Sequence, residues 1–227
     1  SAALYALDDH GLPAGPPALF QNTGSGPHAE RQAGPHAHCT RFSPDGQALY
    51  LVDLGADQVL RFDLVVGGFG EASVAWTAPA ASGPPHLLFH PSRPLAFLLC
   101  ELAATLTLLR VEPHGLTALQ TLPTAPESFA GENLGGHLAL GADGGRICVS
   151  NRGHDSLAVF ALEEATLTLV QRVASGGEHP RHFAFAGERL VVANEKDGRV
   201  TAFGVAPDGT LGMTGKGLAI PGACYVL

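Results

Sequence analysis

The stretch HCTRFSPDGQALYLVDLGADQVLRFDL, residues 38–64, holds a short apolar strand, an SPDG turn, a second apolar run ending on Asp53, a polar turn and an alternating third strand. The same order returns three times: PHLLFHPSRPLAFLLCELAATLTLLRV (85–111), GHLALGADGGRICVSNRGHDSLAVFAL (136–162) and RHFAFAGERLVVANEKDGRVTAFGV (181–205). Anchors at Phe42, Phe89, Leu140 and Phe185 lie 47, 51 and 45 residues apart. A repeat of that length is one supersecondary unit that cannot cover its own apolar faces and must stack on its neighbours. Period-2 alternation in LRFDL and LAVFAL, with Gly/Asp turns between runs, makes each unit a four-stranded antiparallel meander. The expected fold is therefore all-β: a β-propeller whose innermost strands open near Thr40, Leu87, Leu138 and Phe183.

Composition agrees with this reading. The 227 residues suit one domain, and 29 Gly with 17 Pro disfavour long helices. Only 13 Lys and Arg stand against 21 Asp and Glu, a net charge of −8, which argues against a nucleic-acid or anionic-membrane partner. No apolar run reaches the roughly 18 residues of a spanning helix. Cys39, Cys100, Cys148 and Cys224 are far apart and form no C-x-x-C pair. They read as buried thiols of a reducing compartment, and the expected location is the cytoplasm.

The blades are expected over 34–81, 82–132, 133–176 and 177–217. Residues 1–33 read as a partial blade with a loop, and 218–227 as a closing innermost strand.

GPHAH (34–38), VDLGADQV, CEL (100–102), SNRGHDSLAVF (150–160) and EHPRHFAF (178–185) together resemble the bacterial lactonase family of seven-bladed β-propellers. That family contains the propeller-type 6-phosphogluconolactonases and is related to fungal carboxymuconate cyclases. The resemblance runs over nearly the whole chain and implies a member shortened on its N-terminal side by roughly two blades. It implies hydrolysis of a sugar lactone, 6-phosphogluconolactone first, on a small anionic substrate without a cofactor or metal. A carboxymuconate-type cyclase and a non-catalytic interaction platform are the alternatives. Where relatives read GPRH this chain reads GPPH, so Pro85 replaces an arginine that the resemblance associates with anion binding.

Candidate residues emerge where the repeat breaks its own pattern. Four residues before each anchor stand His38, Pro85, Gly136 and Arg181, and the variation suggests a channel mouth. The second strands end on Asp53, Glu101, Asn151 and Asn194, with Arg152 and Glu195 next in the chain after the last two. A histidine, two arginines and several carboxylates at one end of an axis suit an oxygen-rich anion. His38 reads as a general acid/base or ligand-binding group, with blade packing as its alternative. Glu101 closes an apolar run, where a carboxylate is costly unless paired or placed at a site. It is a candidate base; the resemblance puts both His38 and Glu101 in the active site. Arg152 suits a bidentate contact to carboxylate or phosphate. Arg181 and His36 are the substrate-binding candidates, and His86, His137 and His182 recur as blade-packing residues.

Overall fold

The computed structural model describes residues 1–227 and contains strands, turns and no helix. Thus no helix is long and apolar enough to cross a membrane. Two short strands, β1 (Ala2–Leu4) and β2 (Ala18–Phe20), pair with each other. Sixteen more form four sheets, each in simple meander order. The first sheet holds β3 (Ala37–Phe42), β4 (Ala48–Asp53), β5 (Gln58–Val65) and β6 (Gly68–Thr77). The second holds β7 (His86–Phe89), β8 (Leu95–Cys100), β9 (Thr105–Glu112) and β10 (Gly115–Pro123). In the third are β11 (Leu134–Leu140), β12 (Arg146–Arg152), β13 (Ser156–Glu163) and β14 (Thr166–Ala174). The fourth comprises β15 (Pro180–Ala186), β16 (Arg189–Asn194), β17 (Arg199–Val205) and β18 (Leu211–Ala219). These are propeller blades. The chain forms two compact units, Ser1–Ala96 with Arg110–Thr117, and Phe97–Leu109 with Ala118–Leu227.

Burial follows strand position. Every residue of β4 and β8 is buried, as is all of β12 after Arg146; β8 is apolar throughout, while β4 closes on Asp53 and β12 on Ser150, Asn151 and Arg152. The fourth strand of the last sheet is exposed after Leu211. In the first unit Phe20 meets Phe62 edge-on at 4.7 Å, over a core of Ala2, Leu49, Leu51 and Phe62. In the second unit Phe183, Leu190, Val192 and Phe203 of the fourth sheet pack with Cys148, Leu157 and Val159 of the third.

The turn after each second strand is the same device four times. The third or fourth residue past the strand adopts the left-handed conformation: Asp57 (φ 53°), Ala104 (φ 48°), Asp155 (φ 53°) and Gly198 (φ 65°). The carbonyl of that residue accepts the amide just past the fourth strand, from Ala78, Thr124, Ser175 and Ile220 respectively. Where the residue is Asp, the carboxylate also reaches the chain entering the next sheet. Asp57 takes the amides of Ala81 and Gly83, and Asp155 those of Gly153 and His179.

A second device joins outer strands. Gln120 on β10 donates to the Leu167 carbonyl on β14 at 3.0 Å and accepts its amide at 2.7 Å. Gln171 on β14 does the same with Leu211 on β18, at 2.9 and 2.8 Å.

Two expectations are corrected. The first strands open at Ala37, His86, Leu134 and Pro180, one to four residues early, because a bulge extends the ladder in three of them. Residues 220–227 form no closing strand. Pro221 and Gly222 turn the chain, and residues 223–227 join no ladder; Tyr225 instead stacks on His182 at 4.0 Å.

Gln171→Ala removes both bonds to Leu211 and is expected to lower unfolding free energy by about 1–3 kcal/mol in urea melts. Ala104→Gly relieves a left-handed alanine and should raise it by about 0.5–1 kcal/mol.

Candidate functional site

The left-handed turn residues fix which positions correspond between sheets. Counting back from them, the equivalents of Asp53 are Cys100, Asn151 and Asn194, so Glu101 does not align with Asp53 as the sequence spacing suggests. One residue later the chain supplies Leu54, Glu101, Arg152 and Glu195. Leu54 is wholly buried, which shows that the sheet accepts a plain apolar residue there. Three of four copies carry a charge instead.

The preceding residues are structural clamps. Asp53 accepts hydrogen bonds from Asn22 at 2.5 Å and from the amides of His36 and Ala56. Asn151 bonds Thr124 and Ser156, and Asn194 bonds Arg199 and Thr201.

Glu101 and Arg152 meet. The Nη2 of Arg152 lies 3.0 Å from Oε2 of Glu101, with side chains only 5% and 4% exposed for Arg152 and Glu101 respectively. That nitrogen also donates to the Gly135 carbonyl at 2.9 Å, which fixes the guanidinium against the first strand of its own sheet. The third charged copy, Glu195, faces two groups at the start of β15. Its Oε2 is 3.9 Å from His179 Nε2 and 3.9 Å from Arg181 Nη1. Glu101, Arg152, His179, Arg181 and Glu195 all belong to the second unit.

The offset of four residues before each anchor turns out to mark a bulge. In the first sheet Ala37 pairs with Asp53 and Cys39 with Val52, leaving His38 as the extra residue. In the fourth, Pro180 pairs with Asn194 and His182 with Ala193, leaving Arg181. A bulge re-aims a side chain out of the sheet's alternation, and such kinks gather beside functional sites. Gly136 falls at the third sheet's bulge, yet it is no opening in a channel wall. A Cβ there would stand 2.5 Å from Ser150 Oγ and 2.6 Å from the Pro180 carbonyl, so close packing demands glycine.

His36 and His179 are also equivalents. Each carbonyl accepts the amide one past the second strand, from Leu54 and Glu195, and each amide is held by an aspartate, Asp53 or Asp155. His179 escapes a reading of the sequence by motif, although the parallel of His36-Ala37-His38 with His179-Pro180-Arg181 carries the signal. His36 is exposed, and its ring lies 5.6 Å from the half-buried His38, which meets His86 edge-on at 5.3 Å. These three sit in the first unit. In the second, His137 lies 4.0 Å from His182, whose burial lowers its pKa. Those contacts are ring packing.

The reading of the four cysteines changes. Cys100 and Cys148 are buried, whereas Cys39 is half-buried and Cys224 exposed; no disulfide joins the four. All four read as buried in the sequence because apolar neighbours do not reveal which strand edge a residue occupies. Asn133, in the loop before β11, is spent as a cap, bonding Asn151 and the His154 amide.

Comparison with known proteins adds lineage to geometry. The family described as "Lactonase, 7-bladed beta-propeller" matches residues 1–227. A 6-phosphogluconolactonase of Bacillus subtilis is 33% identical over 206 residues, 88% of this chain and 58% of that protein. A structure from Lactobacillus plantarum superposes with a TM-score of 0.89 at 30% identity, covering 98% of this chain and 66% of the other. The Pseudomonas aeruginosa periplasmic gluconolactonase superposes at 0.86 with 29% identity, covering 98% of this chain and 68% of its own. The chain thus spans less than two thirds of the B. subtilis relative's length.

Glu101→Leu leaves Arg152 buried without this carboxylate and should cost about 3–5 kcal/mol of stability. The double variant Glu101→Leu/Arg152→Met is expected to recover most of that loss, as measured by paired urea titrations.

Proposed function

The chain belongs to the seven-bladed β-propeller lactonase family, and we propose that it hydrolyses the ring ester of an anionic sugar lactone, 6-phosphogluconolactone first among them. The observation that carries this reading is the buried Glu101–Arg152 pair at a position that Leu54 fills with no charge at all. Burying two charges costs several kcal/mol, and an apolar residue serves the sheet as well, so the pair is kept for chemistry rather than for stability.

Water attack on a lactone carbonyl puts negative charge on the carbonyl oxygen, and a preorganised guanidinium beside it lowers the barrier. Arg152 is that cation in this proposal. Glu101 and the Gly135 carbonyl hold its Nη2, so its plane is set before substrate arrives. Arg181, 44% exposed, supplies a second positive charge for the carboxylate or phosphate of the substrate. His38 remains a candidate ligand-binding group in the first unit.

A second substrate has support of its own. The P. aeruginosa neighbour is named a gluconolactonase, without the phosphate, and Pro85 stands where the sequence resemblance places an anion-binding arginine. The test is lactone loss followed by NMR on both compounds, against carboxymuconate loss followed by ultraviolet absorbance. Faster loss of either lactone than in buffer supports the reading. Turnover of carboxymuconate alone would replace it with the cyclase, and inertness in all three assays with the interaction platform.

Arg152→Met should weaken inhibition by the product, 6-phosphogluconate, about 10- to 150-fold, the worth of about 1.5–3 kcal/mol for a charged hydrogen bond. Arg181→Gln, at an exposed pair, should cost less than about 1 kcal/mol in the same competition assay.

A further inference from the structure

We propose that His179, backed by Glu195, is the proton acceptor of this site; the inference rests on the lactone-hydrolysis reading above. Most other histidines of the second unit have settled structural duties. His154 Nδ1 bonds Ser156 Oγ at 2.7 Å, His182 stacks on Tyr225 with its Nδ1 3.4 Å from the Val226 amide, and His137 packs at a tilt against His182. His179 differs. Its ring makes no hydrogen bond, and its Nδ1 is buried without a partner. Its Nε2 faces Glu195 Oε2 across 3.9 Å, too far for a direct bond but a span that one water bonded to both can bridge.

The backbone tells the opposite story from the ring. His179 is left-handed at φ 65°, a conformation that costs a non-glycine residue about 1–2 kcal/mol. Asp155 Oδ1 holds its amide at 2.8 Å and its carbonyl accepts the Glu195 amide at 3.0 Å. A strained, doubly tethered main chain thus presents a mostly buried imidazole that makes no capping bond. Charged groups from four segments act on it or on Glu195. Arg152 comes from the end of β12, Asp155 from the turn after it, Glu195 and Lys196 from the turn after β16, and Arg181 from β15 itself. Burial, with Arg152 and Lys196, lowers its pKa against the opposing pull of Glu195 and Asp155. Burial and the two cations thus favour the neutral ring, the form a base requires.

In the first half of the reaction Nε2 takes a proton from water while the water oxygen bonds to the lactone carbonyl carbon, and the carbonyl electron pair moves onto its oxygen beside Arg152. In the second the adduct collapses, the carbonyl re-forms and the ring C–O bond breaks. The imidazolium returns its proton to the departing ring oxygen as a hydroxyl, and the new carboxylic acid loses its proton to solvent. Glu195 supports the transient imidazolium; Glu101 stays with Arg152.

The experiment is the pH profile of kcat/KM on 6-phosphogluconolactone and gluconolactone, joined to an NMR titration of the His179 ring. His179→Asn is the main variant, because asparagine tolerates the left-handed conformation, and His179→Gln with a thermal melt controls for folding. Expected are an acid limb with its midpoint below 6.5 in the wild type, matched by the ring titration. His179→Asn should lose the limb and about 10²- to 10⁴-fold of kcat with KM within a few-fold. Glu195→Gln should move the limb to lower pH, since the charge that favours the imidazolium is gone. His38→Gln should keep the limb. An acid limb that survives in His179→Asn, or is lost in His38→Gln instead, overturns this step alone. A wild type that hydrolyses neither lactone overturns the functional reading and this step with it.

Discussion

A strand buried on both faces tolerates a charge only at its end, where β4 closes on Asp53 and β12 on Arg152. Every side chain of β4 and β8 is covered, so a polar residue in the middle of either would carry the full cost of desolvation. Chemistry is thereby pushed to the strand's last residue or the one just beyond it, where the chain turns and the ladder ends. The shared left-handed turn then sets that residue at the same place in each sheet, and the repeat becomes an array of equivalent sockets. Leu54 leaves one socket apolar; Glu101, Arg152 and Glu195 fill the other three with alternating charge.

Alternation has an electrostatic logic. An acid beside a base offsets part of the cost of burying either, and a third, more exposed acid extends the pattern toward solvent. Arg152 is thus held on one side by Glu101 and lies near enough to His179 to lower its pKa. The bulge at the start of β15 adds the last element by turning Arg181 out of the ladder toward Glu195. Position, charge and re-aimed side chain come from three separate backbone features, each local in sequence.

Much of this is legible without coordinates. The repeat, the meander, the all-β class and the prominence of Glu101 and Arg152 all lie on the surface of the sequence, since periodicity and a charge ending an apolar run are local signals. The hidden part depends on register. Glu101 looks equivalent to Asp53 because both are acidic and close a similar run; only the left-handed Ala104 shows that Cys100 takes that place. Gly136 looks like a variable pocket residue, while its glycine answers Ser150 and the Pro180 carbonyl, neighbours in space that lie 14 and 44 residues away along the chain. His179 is easily passed over because a left-handed main chain and a tether to Asp155, rather than any motif, set its ring apart. The segment 220–227 has the composition of a strand, but a strand is defined by a partner, and composition names none.

The glutamines that tie outer strands together grip main-chain groups only. Gln120 and Gln171 stand 51 residues apart, close to the spacing of the repeat, and each clasps the amide and carbonyl of one leucine as another strand would. A clasp of that kind is blind to the identity of the neighbour's side chains. Gene duplication can therefore add a sheet, and later drift can rewrite its surface, while the join between sheets survives on one carboxamide. The same economy carries a vulnerability: converting either carboxamide to a carboxylate removes the donor half of the clasp and sets a negative charge against a carbonyl, so one atom's change loosens the seam between blades.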